Sequence, residues 1–255
     1  MISSKLMGGL GNQMFQISCA VSLAKSNNET YGFDFENCYT PNQGYKSSKY
    51  LDSIFKNLPN VKNFNFENIY HEPKFSFSKI PYQKNLLLSG YFQSEKYFSE
   101  NKDFIKNLFV FDNMYFEKIK NLFNLDFENT TCIHIRRGDY LKFKDFHLTC
   151  DLNYYNKAMS LIDSKNYIFI SDDIEWVKKN FGNSNFTYSE TNDEILDFCL
   201  MLLSKNIIIS NSSYGWWGAY LNNNKNKTII SPKLWFGPRG PKDFDDVIPN
   251  DWIKI

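Results

Sequence analysis

Residues 130–140 read TTCIHIRRGDY, and they indicate how the second half of the chain folds. Its apolar start is typical of a buried β-strand, which we predict over residues 130–136. Because successive strand side chains point to opposite faces of a sheet, His134 and Arg136 share one face and the neighbouring isoleucines share the other. The stretch therefore brings several polar groups to the carboxyl end of an apolar strand.

Ligands of open α/β sheets bind beyond the carboxyl ends of the strands, which is where the sequence places Arg136 and Arg137. Two adjacent guanidiniums suit a ligand with several negatively charged oxygens, because arginine presents a planar fork of donors. The alternative is a structural role, in which either arginine pairs with Asp139 or with a more distant carboxylate. A histidine, two arginines and an aspartate within residues 134–139 are costly to bury, which favours a ligand site.

The composition is that of a globular protein: of 255 residues, 42% are hydrophobic and 22% are charged. The net charge is +1, so neither nucleic acid nor an anionic membrane surface is an expected partner. We expect no transmembrane segment, because no apolar run reaches the roughly 18 residues of a membrane span, and no signal peptide, because the N-terminus lacks a continuous apolar core. The five cysteines are scattered without a CxxC pair, which indicates a reducing cytoplasm.

Strands and helices alternate regularly after residue 130. Besides the first strand, the pattern predicts strands at 167–170, 206–209 and 227–231, and helices at about 153–163, 174–181, 193–204 and 215–221. The strand at 227–231 is expected to be the last. Such alternation predicts a parallel, doubly wound sheet.

Three successive strands of this predicted sheet end in polar clusters. The clusters are residues 134–139, Ser171-Asp172-Asp173 and Ser210-Asn211-Ser212-Ser213. The second and third could be ordinary helix caps, but three clusters at carboxyl ends of one sheet favour a single site. Arginines and helix N-termini bind phosphate, so the combination fits a nucleoside diphosphate. The adjacent carboxylates could instead hold Mg²⁺, but the arginine pair already supplies positive charge.

The first half of the chain contains a glycine-rich unit. A short strand candidate at 2–6 is followed by MGGLGNQMFQ at 7–16, a predicted helix at about 12–26 and a predicted strand at 31–35. The glycines permit either a tight turn or a close approach of a ligand to the backbone, and both interpretations remain open.

The rest of the first half is less regular. Residues 36–85 show no clean period, and Leu86–Leu88 is a buried strand candidate. Ser94 follows as the expected N-cap of a helix, and residues 95–125 are interpreted as helical with interruptions.

Five motifs together resemble the α-1,2-fucosyltransferases of glycosyltransferase family 11. They are MGGLGNQMFQ at 7–16, GYFQSEKYF at 90–98, HIRRGDY at 134–140, FISDD at 169–173 and SNSSYGWWGA at 210–219. Five motifs in the family's order are a specific signal. The chain departs from the family pattern in being short between the first two motifs, where acceptor contacts vary, and in having Tyr214-Gly215 in place of a more usual Phe-Ser.

The resemblance implies a GT-B architecture, with two Rossmann-like domains facing across a cleft. We place an acceptor-side domain at 1–127 and a GDP-sugar-binding domain at 128–255. The implied reaction moves L-fucose from GDP-β-L-fucose, with inversion and without metal, to the 2-hydroxyl of a galactose. The acceptor would be a glycan such as a surface polysaccharide or a lipopolysaccharide O-antigen. The alternatives are a non-catalytic nucleotide- or glycan-binding module, or a transferase that uses another GDP-sugar.

The resemblance also implies roles for individual residues. Arg136 matches the phosphate ligand that stabilises the leaving group. The donor-binding residues are expected to be His134, Arg137, Asp172, Asp173, Asn211, Ser212 and Ser213, and the residues on the side of the acceptor or the transferred sugar Gly9, Gly11, Asn12, Gln13 and Gln93.

Chemistry adds one role to these, because a general base should be a carboxylate near the acceptor oxygen. Asp139 is our candidate, and its alternative role is that of a buried partner for Arg137. We expect the protein in the cytoplasm or resting on the cytoplasmic face of a membrane. The oligomeric state is left open.

Overall fold

A computed structural model describes residues 1–38, 44–62, 64–183 and 185–255 of the chain. The chain divides into two α/β units. Unit 1 consists of Met1–Phe111 and Pro241–Pro249, and unit 2 of Asp112–Gly240 and Asn250–Ile255.

Unit 1 contains a short parallel sheet and one long helix. Its strands and α-helices are β1 (Ile2–Ser4), α1 (Leu10–Ser26), β2 (Asn68–His71), β3 (Leu86–Ser89) and α2 (Lys102–Leu108), with 3-10 helices at Ser47–Tyr50, Glu95–Tyr97 and Ser99–Asn101. The sheet order is β1-β3-β2, and both pairings are parallel. The carboxyl ends of all three strands therefore lie at one edge.

The structure corrects two sequence predictions in unit 1. The strand expected at 31–35 is not formed: Tyr31 and Phe33 make only isolated bridges, to Ile2 and Asn60. Strand β2 was not expected because it alternates half-buried and exposed residues at the sheet edge and so lacks an apolar run. Ser94 does cap the 3-10 helix at Glu95–Tyr97, where its hydroxyl accepts a hydrogen bond from a backbone N–H.

Unit 2 contains a six-stranded parallel sheet flanked by helices. Its elements are α3 (Asn113–Leu122), β4 (Thr130–Ile135), α4 (Leu152–Ser160), β5 (Asn166–Ser171), α5 (Ile174–Asn180), β6 (Phe186–Tyr188), α6 (Glu194–Leu203), β7 (Asn206–Ile208), α7 (Ser213–Leu221), β8 (Ile229–Ser231) and β9 (Ile253–Lys254), with 3-10 helices at Phe127–Asn129 and Asp139–Lys142. The strand expected to be last, β8, is followed by β9, which is too short to be recognised from sequence.

The order of this sheet is β6-β5-β4-β7-β8-β9. The chain runs outward from β4 to β6 on one side, then returns to β7 and runs outward to β9 on the other. The boundary between β4 and β7 is therefore a topological switch point, where the connections on the two sides diverge and leave a crevice at the carboxyl ends.

Strand β4 is buried at every position. Ile133 and Ile135 belong to a core cluster with Tyr155, Phe169 and Ile208, and burial of each such side chain stabilises the fold by about 1.5–3 kcal/mol. His134 lies between the two isoleucines and faces the other way. The alternation expected from sequence thus fixes which side chains of the motif reach the switch point.

The two units divide the chain differently from the expected boundary at 127/128. Helix α3 belongs to unit 2 because it packs against α6. The segment 241–249 belongs to unit 1, where the Asp246 carboxylate accepts a hydrogen bond from the Phe77 N–H at 2.9 Å. In the part of the chain that the structure describes, no helix has the length and apolar character to span a membrane.

Candidate active site

His134 is a buried, neutral hydrogen-bonding group at the switch point. Its Nδ1 lies 3.1 Å from the Ser210 hydroxyl, and its carbonyl accepts a hydrogen bond from the Ser210 N–H at 3.1 Å. The Tyr214 ring packs beside the imidazole, with ring centroids 5.5 Å apart. Burial, and then the charge of Arg136, lowers the pKa of His134 to about 3. The imidazole therefore contributes hydrogen bonds rather than a positive charge.

The Arg136 guanidinium is fixed by two carboxylates. Its Nη2 lies 2.7 Å from Asp139 Oδ1, and its Nε lies 3.2 Å from Asp172 Oδ2. Burial alone would lower the pKa of Arg136, but Asp172 and Asp139 outweigh that effect and raise it. Arg136 thus stays charged. A guanidinium has five N–H donors on three nitrogens, and the two ion pairs involve only Nη2 and Nε.

Arg137 points to a different set of partners. Its Nε lies 3.2 Å from Asp173 Oδ2, and its guanidinium carbon lies 3.7 Å from the centre of the Trp176 ring. Its backbone N–H donates to Asp172 Oδ1 at 2.8 Å. A charge held against an aromatic face and a carboxylate is a structural arrangement. Asp139 pairs with Arg136, so its expected alternative role as a partner for Arg137 is wrong.

The two carboxylates that follow β5 hold the arginines in place. Asp172 bridges the Arg136 side chain and the Arg137 backbone. Asp173 pairs with Arg137 and also caps α5, because its Oδ1 accepts from the Trp176 N–H at 3.3 Å. Two guanidinium charges against the three carboxylate charges of Asp139, Asp172 and Asp173 leave a formal charge of −1. The neighbouring carboxylates thus exceed the positive charge expected from the arginine pair by one formal charge.

Asn211 connects the loops around the site. Its side-chain amide donates to the carbonyls of Leu148 and Trp235, both at 2.9 Å. The backbone carbonyl of Asn211 accepts a hydrogen bond from the Tyr140 hydroxyl at 3.0 Å. The Asn211 amide is thus engaged by two backbone carbonyls. The phosphate contact expected at this cluster would then come from Ser212 and Ser213.

Helix α7 begins beside these loops. Ser212 is its N-cap without a side-chain capping hydrogen bond, and Ser213 is its first residue. Ser212 is buried, whereas Ser213 is partly exposed. The first N–H groups of a helix have no partner within the helix, and they attract anions. The start of α7 therefore adds partial positive charge at the switch point.

The predicted acceptor-side residues lie in unit 1, around the start of α1. Gly9 is the N-cap of α1 and Gly11 is buried in its first turn. The Gln13 amide is fully buried and donates to the carbonyls of Gly8 and Tyr45 at 2.8 and 2.9 Å. Gln13 therefore holds the glycine loop.

Asn12 and Gln93 contact each other directly. The Gln93 Nε2 donates to Asn12 Oδ1 at 2.7 Å. Gly8, which precedes this turn, has φ +75, a backbone conformation that favours glycine. The tight-turn interpretation of the glycine loop is confirmed at this residue. Asn12 and Gln93 form a polar pair at the carboxyl edge of the unit 1 sheet.

Two residues that contact the site, Trp176 and Tyr140, have little local sequence signal of their role. Trp176 is visible only as an aromatic three residues after Asp173. Tyr140 stacks on His147, with ring centroids 4.2 Å apart, and hydrogen-bonds to Asn211. Tyr140 belongs to the HIRRGDY motif, so its position could have indicated a role.

No group of three or more metal-ligating side chains occurs among residues 1–38, 44–62, 64–183 and 185–255. The carboxylates that could hold Mg²⁺, Asp172 and Asp173, are each paired with a guanidinium. The arrangement as a whole combines a fixed arginine after β4 with the helix N-terminus that follows β7, and such groups are suited to binding an anion.

Comparisons with known proteins agree with this class of enzyme. Solved structures with a similar fold include the fucosyltransferase NodZ from Bradyrhizobium, with a TM-score of 0.57, 12% identity and coverage of 94% of this chain and 95% of that one. POFUT1 in complex with GDP gives a TM-score of 0.52 at 10% identity, over 89% of this chain and 98% of that one. The protein has the GT-B fold of a glycosyltransferase, as the sequence motifs implied.

The family follows from the sequence. The model of glycosyl transferase family 11 matches residues 1–255, so the chain belongs to that family. An α-1,2-colitosyltransferase of Escherichia coli is 31% identical over 100% of this chain and 98% of its own length. The O-antigen biosynthesis glycosyltransferase WbnK of Escherichia coli is also 31% identical, over 99% of both chains. A putative galactoside 2-α-L-fucosyltransferase of Caenorhabditis elegans, svh-11, is 26% identical over 96% of this chain and 76% of its own length.

Proposed function

We propose that this family 11 enzyme transfers L-fucose from GDP-β-L-fucose to the 2-hydroxyl of a galactose in a glycan, with inversion and without a metal ion. The observation that carries the proposal is the placement of Arg136, a guanidinium fixed through Nη2 and Nε, at the switch point of the unit 2 sheet. Structures of NodZ with GDP and GDP-fucose support a GDP-linked donor for a protein of this fold.

The reaction is a single displacement. The acceptor hydroxyl oxygen forms a bond to the anomeric carbon of fucose as the bond from that carbon to the β-phosphate oxygen breaks. The electron pair of the broken bond stays on the diphosphate. The hydroxyl proton passes to a base. An acceptor that attacks from the face opposite the leaving group gives an α-linked product from a β-linked donor.

Arg136 would stabilise the charge that develops on the diphosphate. A guanidinium can form two parallel hydrogen bonds to phosphate oxygens, and that of Arg136 is fixed before the reaction by Asp139 and Asp172. Such prearranged donors are an effective form of electrostatic catalysis. The N–H groups at the start of α7 would bind the same diphosphate, which offsets the formal charge of −1 around the arginines.

Asp139 is the proposed general base. Its Oδ1 lies 2.7 Å from the Arg136 guanidinium, yet neither of its two buried oxygens accepts a hydrogen bond of regular geometry from the described residues. A buried acceptor without a donor is costly, and an acceptor hydroxyl would satisfy it. A base within hydrogen-bond reach of the attacking hydroxyl contributes typically 10²–10⁴-fold to the rate.

A second donor sugar is favoured by one specific observation. A relative with 31% identity over the whole chain is an α-1,2-colitosyltransferase, and colitose is fucose that lacks the 3-hydroxyl group. Both sugars share the geometry at the anomeric centre, so the site geometry described above fits either one. The proposal for fucose therefore needs a direct comparison of the two donors.

The absence of a metal requirement is part of the proposal. It is supported by the pairing of Asp172 and Asp173 with arginines and by the role of Arg136 as a fixed cation. Transfer should proceed at an unchanged rate after treatment with EDTA. A strict requirement for added Mg²⁺ or Mn²⁺ would contradict this part of the proposal.

The test of the function is an assay of purified protein with GDP-fucose, GDP-colitose and GDP-mannose against a panel of galactosides, followed by linkage analysis. We expect an α-1,2-linked fucoside. Slow release of fucose from GDP-fucose without acceptor would distinguish an enzyme from a nucleotide-binding module. Thermal stabilisation by GDP, but not by UDP or ADP, would test the base of the nucleotide independently of transfer.

We also propose that the enzyme acts in the cytoplasm, either dissolved or at the cytoplasmic face of a membrane. This is supported by the nucleotide-sugar donor and by a relative that acts in O-antigen biosynthesis. Fractionation of cells that express the tagged protein would test this location.

A further inference from the structure

The Glu72 side chain binds the backbone of the loop that follows β3. It comes directly after β2, and its backbone N–H donates to the Ser89 carbonyl at 2.9 Å. Its Oε2 accepts from the Tyr91 N–H at 2.7 Å, and its Oε1 accepts from the Phe92 N–H at 3.0 Å. The Tyr97 hydroxyl lies 3.5 Å from Oε1. One carboxylate thus binds two consecutive backbone donors.

The loop held in this way is strained. Phe92 has φ 52, a left-handed conformation that residues other than glycine rarely adopt. Its ring is fully buried and packs edge-on against Tyr97, with centroids 5.2 Å apart. Such a conformation persists only when its surroundings hold it. The carboxylate of Glu72 holds the backbone N–H groups of the strained residue and of the residue before it.

Gly90 leaves space for this carboxylate. A Cβ atom at residue 90 would lie 2.4 Å from Glu72 Cβ and 2.7 Å from Glu72 Oε2. The side chain of Glu72 therefore packs directly on the backbone of the loop, and no larger residue fits there.

The loop ends in the polar pair of unit 1. Gln93 follows Phe92 and donates to Asn12 Oδ1 at 2.7 Å. The geometry thus connects Glu72, through one strained residue, to two side chains that the family resemblance assigns to the side of the acceptor or the transferred sugar.

We propose that Glu72 is a positioning residue for the transfer reaction: its ionised carboxylate fixes the loop Gly90–Gln93, and through it the orientation of Gln93 and Asn12. The inference rests on the proposed function, because it concerns the same reaction. Glu72 itself need not touch the substrate.

The charge of Glu72 decides whether the loop is held. A carboxylate accepts from both N–H groups, whereas a carboxylic acid has one oxygen that carries a proton and competes with a donor. Burial raises the pKa of Glu72 to about 7; the N–H groups of Tyr91 and Phe92 and the Tyr97 hydroxyl oppose the rise, and Asp243 adds to it. Protonation therefore falls within the working range of most enzymes.

The other groups that face Glu72 do not titrate in this range. Burial raises the pKa of Cys19 on α1, of Tyr70 on β2 and of Tyr97. Hydrogen bonds, first of all from the Ser76 N–H, lower the pKa of Asp243. The phenols and the thiol stay neutral and Asp243 stays charged, so Glu72 alone among these groups changes its charge near neutral pH.

The experiment compares wild type, Glu72→Gln and the matched control Glu67→Gln, an exposed glutamate just before β2. Steady-state kcat and KM for donor and acceptor are measured as a function of pH. Wild-type kcat should fall as the pH drops below about 7, approaching tenfold per pH unit. Glu72→Gln should have a low kcat at every pH without this acid limb, and an unchanged affinity for GDP. Glu67→Gln should follow wild type.

The inference is overturned if Glu72→Gln keeps the wild-type kcat. It is also overturned if the variant loses activity equally at every pH and retains the acid limb, which is the result of a purely structural role.

Should this variant fail to fold, hydrogen exchange of the Tyr91 and Phe92 amides in wild type decides the question. Their protection should decrease from about pH 8 to about pH 6 after correction for intrinsic exchange. Unchanged protection would refute the inference. Absence of transfer by wild type would refute the proposed function instead, and the exchange measurement would still stand.

Discussion

Asp139 Oδ1 lies 2.7 Å from the Nη2 of Arg136, a residue three positions earlier in the chain. The same guanidinium is held at Nε by Asp172. A carboxylate this close both fixes the arginine and competes with an incoming phosphate for it. Asp139 therefore has two possible functions, as the general base or as a group that only holds Arg136, and variants can distinguish them.

Replacement of Arg136 by alanine should reduce kcat for transfer by about 10²–10³-fold, because a prearranged donor at the developing charge is lost. Arg136→Lys should rescue poorly, since an ammonium lacks the planar fork. Steady-state kinetics measure both effects. The control is Arg239→Ala, which removes an exposed arginine of the same unit. Equal losses in Arg136→Ala and Arg239→Ala would contradict the specific role.

Replacement of Asp139 by asparagine should lower kcat by about 10²-fold or more if the carboxylate is the base. The affinity for GDP, measured by calorimetry, should stay the same or increase, because a negative charge beside Arg136 is removed. Asp145→Asn, at an exposed aspartate, serves as the control. Loss of GDP binding together with kcat would mean that Asp139 acts only by holding Arg136.

Replacement of Gly215 by alanine should disturb the switch point. A Cβ atom there would lie 2.6 Å from His134 Nδ1, the same atom that contacts the Ser210 hydroxyl, so the imidazole or the helix must shift. Overpacking of this kind costs typically about 1–3 kcal/mol. Gly182→Ala is the comparison, because its nearest neighbour is a carbonyl at 3.2 Å. Thermal unfolding with and without GDP should show a larger loss for Gly215→Ala, and equal losses would refute the steric argument.

Acid should destabilise the protein through His134. The pKa of His134 is about 3 in the folded state, below its unfolded value of about 6.5, so the unfolded state binds the extra proton. Stability from this group is present above about pH 6.5 and is lost as the pH falls toward 3, at up to about 1.4 kcal/mol per pH unit. Glu72 has the opposite effect on stability. Its pKa is raised to about 7 in the folded state, so the folded protein loses stability from this group as the pH rises above about 4.5.

Urea unfolding of His134→Asn and wild type at several pH values measures this effect. The variant lacks the titrating imidazole, so its stability relative to wild type should improve as the pH falls. His71→Asn, at an exposed histidine on β2, is the control. The same pH dependence in wild type and His134→Asn would refute the assignment.

The sequence predicted the framework of unit 2 well because its inner strands are continuous apolar runs. Strands β4, β5 and β7 lie within a residue or two of their predicted bounds. Strands β2, β6 and β9 were not predicted, because they are short strands at sheet edges without such runs. Their position is determined by the neighbouring strands, which a local pattern does not contain.

The site was predicted as a set of residues but not as a set of contacts. The sequence placed Arg136, Arg137 and three aspartates at one sheet edge, yet which carboxylate meets which guanidinium depends on strand register and loop geometry. Glu72 lies in the segment without periodicity, and nothing in its local sequence shows that Tyr91 and Phe92 are its partners. Long-range pairings of this kind become visible only in the folded chain.

Residues 241–249 belong to unit 1, whereas the last six residues return to unit 2. Neither unit is therefore encoded by one contiguous segment. A deletion after Gly240 would remove the aspartates that bind Ser76 and Phe77 as well as strand β9. Chimaeras that exchange donor or acceptor preference between relatives should accordingly graft the C-terminal tail in two separate portions, each with its own half, instead of joining two blocks at one crossover.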